Sequence, residues 1–162
     1  MKVSPTALKW LLRFYPPLFF QRVWVLDIGR GFRSAKVRIS KSLLNKNYNS
    51  SIFGGTIYAA TDAFYPVLFY QLFTHQGYRV IVWLKYASIH YLKPGRTDLY
   101  FHIDITDEEV AVAKHILNTE GKFVHSYPIE LYNKQEELCA AVNCEVYIRN
   151  LDIERAANES NS

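Results

Sequence analysis

The stretch NKNYNSSIFGGTIYAATDAFYPVLFYQLF, residues 45–73, decides the fold of this protein. From Gly54 to Phe73 it is almost continuously apolar and, as a helix, about long enough to cross a lipid bilayer. A carboxylate at the centre of a membrane helix costs about 3 kcal/mol, however, and Asp62 stands near the middle. Pro66 and the strand-rich remainder of the chain also argue against a lone membrane span. The stretch is therefore predicted to be a helix that a globular domain buries on most sides.

The sequence on either side of this helix has the two-residue period of β-strands. Two strands flank Gly29-Arg30-Gly31 as a hairpin, and four more are predicted after Gly77, at residues 79–91, 97–105, 123–132 and 138–149. Pro128 should place its strand at an edge or a bulge. A helix is predicted from Thr106, which forms a capping box with Glu109. The predicted fold class is α+β, with a mostly antiparallel sheet curved around a central helix.

The two ends of the chain have different patterns. Residues 5–15 read as a short amphipathic helix that the Pro16-Pro17 pair ends. Its apolar face is short, so we expect it to pack against the domain or a partner subunit and not to lie on a membrane. Residues 1–151 are expected to form a single domain, and residues 152–162, which contain few apolar side chains, a disordered tail.

Composition and charge narrow the class of protein. The 162 residues are 49% hydrophobic and 21% charged, which is ordinary for a globular domain. Residues 1–50 contain ten Lys or Arg and a single acid, Asp27. Such a basic half either binds an anionic partner or is a solvated face. Cys139 and Cys144 are five apart in a predicted strand, so they face opposite sides and cannot pair. Reduced thiols predict a cytoplasmic protein.

Asp62 allows two interpretations. It is either a structural acid, hydrogen-bonded to a loop, or a residue that does chemistry, because buried carboxylates are rare unless they are paired or functional. Gly54-Gly55-Thr56 open the helix, so their N–H groups are free to hold a developing oxyanion. Asp62 lies eight residues beyond Gly54, about 12 Å further along at 1.5 Å per residue. If both groups act on one carbonyl, a second subunit must supply one of them.

The order Asn47, Phe53-Gly54-Gly55 and Asp62 resembles the signature of hotdog-fold acyl-CoA thioesterases of the phenylacetic-acid-degradation type. In that signature a His stands where Phe53 stands here. The segments SIFGGTIYAATDAFYPVL and VWLKYASIHYLKPGR are also similar to a family of small, largely uncharacterised bacterial thioesterase-like hotdog proteins.

This resemblance implies a helix wrapped by an antiparallel sheet and a site at a dimer interface, in a dimer or a dimer of dimers. Asp62 would be the general base or nucleophile, Gly54 would supply the oxyanion amide, and Asn47 would orient the attacking water or the substrate. The implied substrate-binding residues are Gly55, Phe53, Lys93 and Arg96. Lys93 and Arg96 flank the Pro94-Gly95 turn, where they would bind coenzyme A phosphates or pantetheine, unless the turn is simply solvated.

Two functions from different classes remain open. The first is hydrolysis of an acyl-CoA or acyl-carrier-protein thioester. The second is a non-catalytic acyl- or CoA-binding module, which Phe53 favours because it cannot make the hydrogen bonds of the usual His. Neither needs a cofactor or metal beyond coenzyme A as part of the substrate. No nucleic-acid partner and no stable membrane insertion are expected. The aromatics Tyr58, Tyr65, Trp83 and Tyr86 are expected to serve in packing more than in binding, with the lining of an acyl tunnel as the alternative for some of them.

Overall fold

Six antiparallel strands form one sheet in the computed structural model, which describes residues 1–153. The order across the sheet is β1-β2-β4-β5-β6-β3. The strands are β1 Val23–Ile28, β2 Ser34–Ile39, β3 Val80–Tyr91, β4 Leu99–Asp104, β5 Lys122–Asn133 and β6 Leu138–Asn150. The two strands predicted to flank Gly29-Arg30-Gly31 are confirmed, and the four predicted after Gly77 lie within two residues of their predicted ends.

The apolar stretch does not form the single helix that was predicted. It forms α3, Gly54–Asp62, and α4, Phe64–His75, which meet at Ala63. The cause is Pro66, which has no N–H to donate to the carbonyl of Asp62 and whose ring crowds that carbonyl. The helix therefore breaks at Asp62, four residues before the proline.

The sheet curves around α4. Phe64 packs edge-on against Phe101 of β4, with 5.5 Å between ring centroids. Tyr65 stacks on Tyr127 of β5 at 4.8 Å, and its hydroxyl donates to the carbonyl of Pro128 at 3.0 Å. The core lies between α4 and the sheet and includes the fully buried Phe69 and Phe73, Leu68, Leu99, Ile129 and Val146.

A split divides the sheet between β4 and β5. Only Leu99–Tyr100 of β4 pair with β5, opposite Tyr132–Asn133, and the two strands then separate. The helix that connects them, α5 (Asp107–Thr119), begins with the predicted capping box of Thr106 and Glu109. Pro128 lies where β5 has no β4 partner, so its missing N–H breaks no ladder bond, and the predicted edge position is confirmed.

Residues 1–20 pack on the opposite edge of the sheet from β3. The helix α1, Pro5–Phe14, buries Leu8 and Leu12 in the core cluster. The N–H of Val3 donates to Oε1 of Gln71 in α4 at 3.1 Å. The Pro16-Pro17 pair ends α1 as predicted but also begins a further short helix, α2 (Pro16–Phe20), with proline in its first turn. The predicted packing of α1 against the domain is confirmed.

Two further observations concern the predicted domain and the membrane alternative. Residues 151–153 continue β6 as a helical turn, in which the N–H of Leu151 donates to the carbonyl of Arg79. A disordered tail was predicted for residues 152–162, and residues 154–162 of it lie outside the described residues. Within residues 1–153, no helix combines the length and the apolarity needed to span a bilayer.

Candidate active site

The first half of the candidate site is the N-terminus of α3. Two backbone hydrogen bonds fix the chain entering it, from the N–H of Ile52 to the carbonyl of Gly95 (2.9 Å) and from the N–H of Phe53 to the carbonyl of Asn45 (2.7 Å). The N–H groups of Gly54 and Gly55 have no acceptor among the residues that the structure describes. They therefore present the partial positive charge of the helix end to whatever lies beyond it.

A cavity of about 330 Å³ lies in front of this helix end. Its lining includes Asn47, Gly54, Lys93 and Gly95, together with Tyr91 at the end of β3. The Tyr91 hydroxyl donates to the Gly54 carbonyl at 2.8 Å. A Cβ on Gly54 would lie 3.0 Å from the Tyr91 ring, so glycine permits this approach. The pKa of Tyr91 is raised, first by burial and then by the nearby Tyr58, which keeps the hydroxyl protonated and able to donate.

Sequence reasoning missed Tyr91. The residue is 37 positions from Gly54 in the chain, and the sequence pattern marks it only as one more alternating residue of a strand. Its hydrogen bond has a consequence for the helix end, because the Gly54 carbonyl and the Gly55 N–H belong to the same peptide group. A donor on that carbonyl fixes the peptide plane and polarises the N–H that points out of the helix.

Phe53 and Gly55 form a second contact at the helix end. A Cβ on Gly55 would lie 2.4 Å from a ring carbon of Phe53, so the ring occupies the space that any larger residue would need. The Phe53 side chain is 57% exposed and covers the helix end from outside. Its position offers an apolar wall beside the two free N–H groups and no hydrogen-bonding atom.

Asn47 holds a tight turn beside the cavity. Its side-chain oxygen accepts from both the N–H and the hydroxyl of Ser51, each at 3.1 Å. The oxygen is therefore engaged within the protomer, and the amide nitrogen is the atom left to orient a water or substrate.

Asp62 lies at the other end of α3, away from the cavity. Its side chain is exposed, so the expectation of a buried carboxylate is wrong for a single chain. Gly55, Tyr58 and Asp62 are the exposed positions of the helix and follow one another at three- and four-residue steps, which places them on one face. On the inner side, burial and then the charge of Asp62 raise the pKa of the buried Cys144 thiol to about 12. Cys144 and Cys139 are both free thiols.

The edge strand β3, next to α3, also carries exposed aromatic side chains. Trp83, Tyr86 and Tyr91 are each more than half exposed, and Tyr58 is 38% exposed. Of the four aromatics expected to pack, Tyr65 is buried, and Trp83 stacks on Tyr147 with 5.8 Å between ring centroids while remaining half exposed. Tyr58 and Tyr86 are exposed in a single chain. Tyr58 belongs to the exposed face of α3, whereas Trp83 and Tyr86 pair with Tyr147 and Glu145 on the side of the sheet that faces away from the core.

The two predicted cations differ in their surroundings. Lys93 lines the cavity, but its ammonium donates to Glu137 at 2.7 Å. The hydrogen bond from Lys93 and then one from Asn133 lower the pKa of the Glu137 carboxyl. Arg96 is exposed and lies outside the cavity lining, and its side chain has no hydrogen-bond or ion-pair partner among the described residues. Arg96 is therefore the cation more available to a ligand.

The protomer thus brings together Asn47, Gly54 and Lys93, with Gly55 and Phe53 at the rim, and leaves Asp62 and Arg96 apart from them. In the described part of the chain, no three His, Cys, Asp or Glu side chains are grouped so that they could hold a metal ion.

Residues 7–148 match a protein family described as a domain of unknown function, DUF4442. The chain belongs to this family. The match confirms the resemblance to a family of small, largely uncharacterised proteins that was inferred from residues 51–68 and 82–96. No curated protein matches the sequence.

Solved structures identify the fold. A probable thioesterase of unknown function from Pseudomonas aeruginosa is 15% identical with a TM-score of 0.82, covering 93% of this chain and 98% of that chain. A thioesterase from Haemophilus influenzae is 10% identical with a TM-score of 0.67, covering 93% and 94%. The PaaI protein of the Escherichia coli phenylacetic acid degradation operon is 14% identical with a TM-score of 0.58, covering 91% and 96%. The predicted hotdog fold, a sheet wrapped around a central helix, is confirmed.

Proposed function

We propose that the protein is a thioesterase that hydrolyses an acyl-CoA or acyl-carrier-protein thioester at a site shared by two copies of the chain. The observation that carries the proposal is the open face formed by α3 and the edge strand β3. It holds Asp62 at one end of a nine-residue helix and the free N–H groups of Gly54 and Gly55 at the other. The names of the structural neighbours support the reaction class.

A twofold axis through this open face would bring the two halves of the site, Asp62 and the N–H groups of Gly54 and Gly55, together across two copies of the chain. Two copies related by such an axis would set their α3 helices antiparallel, which brings the partner's Asp62 towards Gly54 of the first copy. Each dimer would then contain two equivalent sites. The same contact would cover Tyr58 and pair the free edge of β3, which carries Tyr86. Such dimers could pair again as a dimer of dimers.

The chemistry then follows from the groups at hand. The carboxylate of Asp62 removes a proton from water, and the hydroxide oxygen bonds to the thioester carbonyl carbon. The electron pair of the carbonyl moves to its oxygen, where the N–H groups of Gly54 and Gly55 stabilise the negative charge. Collapse of this intermediate breaks the carbon–sulfur bond and releases the thiolate, which takes up the proton from Asp62. Tyr91 fixes the donating peptide group, and the Asn47 amide nitrogen orients the water.

The substrate end of the proposal rests on the turn after β3. The cavity opens beside Lys93, and Arg96 is available to a coenzyme A phosphate. Coenzyme A enters as part of the substrate, and the reaction uses no further cofactor. The two free, buried thiols support a reducing compartment, and we place the protein in the cytoplasm.

A non-catalytic acyl-binding module is the second candidate, and Phe53 is the observation that favours it. Its ring stands at the helix end without any atom that can accept or donate a hydrogen bond. Such a module would keep the cavity and the dimer but would not turn over.

The test is the Asp62→Asn variant, which keeps the shape of the side chain and removes its charge. Hydrolysis of a panel of acyl-CoA thioesters should fall roughly 100-fold, as loss of a general base typically costs. Asp27→Asn, an exposed acid in β1, is the matched control and should leave turnover unchanged. Equal rates for Asp62→Asn and the wild type would contradict the proposal. Saturable acyl-CoA binding without turnover at any chain length would select the binding module instead.

A further inference from the structure

Residues 1–46 carry an apolar surface that the proposed site does not use. Leu8 and Leu12 face the core, yet the other side of α1 and α2 exposes large side chains, as does the loop after β2. These residues, which we call the N-terminal face, are Trp10, Leu11, Phe14, Tyr15, Phe20, Leu43 and Leu44, and each is 48% exposed or more. Asn45 ties the loop to α2, because its amide nitrogen donates to the carbonyl of Gln21 at 2.8 Å. The loop that carries Leu43 and Leu44 is therefore held next to the end of α2.

A cluster of arginines around Trp24 borders this face. The guanidinium of Arg13 lies 4.9 Å from the Trp10 ring centroid and 5.7 Å from that of Trp24. The guanidinium of Arg22 lies 4.9 Å from Trp24, and Arg38 pairs across the strands with the same residue. The Nε atoms of Arg22 and Arg38 are buried and have no hydrogen-bond partner.

None of these arginines is neutralised within the described part of the chain. No ion pair there includes Arg13, Arg22 or Arg38, nor the nearby Lys9 and Lys46. Residues 1–50 contain ten basic side chains against the single acid Asp27. Charged groups held on aromatic rings without a counter-ion, with buried donors unpaired, predict an anionic ligand that has several oxygen acceptors, such as phosphate.

We propose that the N-terminal face docks on the surface of an anionic lipid bilayer. The arginine cluster would bind lipid phosphates, and Trp10, Phe14 and Phe20 would enter the interfacial layer, where aromatic side chains are favoured. A bilayer fits because the apolar side chains protrude from α1, α2 and the loop, and lipids adapt to protruding groups without a matching shape. The face lies at the β1 side of the sheet, away from the β3 edge of the proposed dimer, so both surfaces can be used together.

This inference revises the expectation that α1 stays off a membrane. That expectation rested on the short apolar face of α1, which Pro16-Pro17 limits in length. The structure shows that packing uses Leu8 and Leu12 and leaves Leu11 and Phe14 outside. Docking is reversible adsorption, and it needs no inserted segment.

The experiment is co-sedimentation of the full chain with vesicles of phosphatidylglycerol and phosphatidylcholine in equal parts, and with pure phosphatidylcholine vesicles, at low ionic strength. The wild type should bind the anionic vesicles and should lose binding as salt is added. Because each basic residue near an anionic surface adds roughly a fivefold factor, Arg13→Gln/Arg22→Gln should weaken binding about 25-fold. Lys114→Gln/Lys122→Gln removes the same charge from α5 and β5, and it should change binding less than about twofold.

A second pair of variants separates lipid contact from charge alone. Phe14→Ser/Phe20→Ser alters only exposed positions and should weaken binding with no change of net charge. Lipids brominated along the acyl chain should quench wild-type tryptophan emission and should quench Trp10→Phe less. The proposal fails if anionic vesicles do not bind, or if both charge variants behave alike. It also fails if the N-terminal face binds a second copy of the chain, which Phe14→Ser/Phe20→Ser would reveal by lowering the molecular mass of the protein in solution. Binding of soluble inorganic phosphate without binding of vesicles would equally contradict it.

Discussion

The two edges of the sheet, β1 and β3, differ in whether the same chain covers them. The β1 edge is covered by the same chain, since α1 and α2 pack along it and bury Leu8, Leu12 and Leu18. The β3 edge pairs with β6 through eleven of its twelve residues, with a bulge at Lys85, and no described strand lies on its other side. It carries three exposed aromatic residues, Trp83, Tyr86 and Tyr91.

An uncovered strand of this length is a template for pairing with another chain, and proteins usually block such edges with charge, proline or a covering element. Here three exposed residues along the edge are aromatic, and the one Lys, Arg, Asp or Glu of β3, Lys85, lies at a bulge and pairs with Glu145 of β6. The comparison teaches that one edge is completed in the protomer, whereas the other is suited to completion by a second copy. The residues proposed for catalysis lie beside the second edge.

Two leucines of α1, one buried and one exposed, test whether α1 covers the β1 edge as the structure shows. Leu8→Ala removes a side chain that is 4% exposed and should destabilise the protein by about 2–4 kcal/mol, because it leaves a cavity under α1. Leu11→Ala, three residues on and 48% exposed, should change the free energy of unfolding by less than about 0.5 kcal/mol. Urea unfolding of both variants measures the difference. Equal effects would mean that α1 does not pack as the structure has it.

The open edge is tested by the same kind of comparison. Tyr86→Lys places a charge at the proposed twofold contact, twice per dimer, and should raise the dimer dissociation constant by roughly tenfold or more. Leu26→Lys puts the same charge on β1, at the covered side, and should leave the dimer intact. Analytical ultracentrifugation across a concentration series gives both constants. If the wild type sediments only as an 18.9 kDa monomer, the proposal of a site shared by two copies is wrong.

Most of the fold could be predicted from local patterns. Alternation along residues 79–91 and 138–149 predicts β3 and β6, and the capping box of Thr106 and Glu109 predicts the start of α5. The break of the central helix was also readable in principle, because Pro66 removes the donor for the Asp62 carbonyl four residues earlier. The split between β4 and β5 could not be predicted from the sequence, because it depends on how α5, the helix between these strands, packs on the sheet.

The candidate site was harder to predict from the sequence than the fold, because its residues are far apart in the chain. The Gly54-Gly55 helix start predicts free N–H groups from sequence alone. The contact of Tyr91 with Gly54 spans 37 residues and has no local signal. Burial was misjudged for Asp62, Tyr58 and Tyr86 for a different reason. Their apolar neighbourhood indicates burial, but a sequence does not say whether the cover belongs to the same chain.

The turn that follows the open edge carries the last and smallest prediction, which separates Arg96 from Lys93. Lys93 donates to Glu137 within the protomer, so its charge is partly used in holding the turn to the loop between β5 and β6. Arg96 has no such partner among residues 1–153. In steady-state hydrolysis of an acyl-CoA, Arg96→Gln should raise KM roughly fivefold with kcat unchanged, as expected when a contact is equal in the ground and transition states. Lys93→Gln should change KM less than about twofold. The larger effect at Lys93 would show that substrate displaces Glu137, and that the turn rearranges when coenzyme A binds. No effect at either residue would remove both from substrate binding and leave the cavity before α3 as the region that holds the substrate.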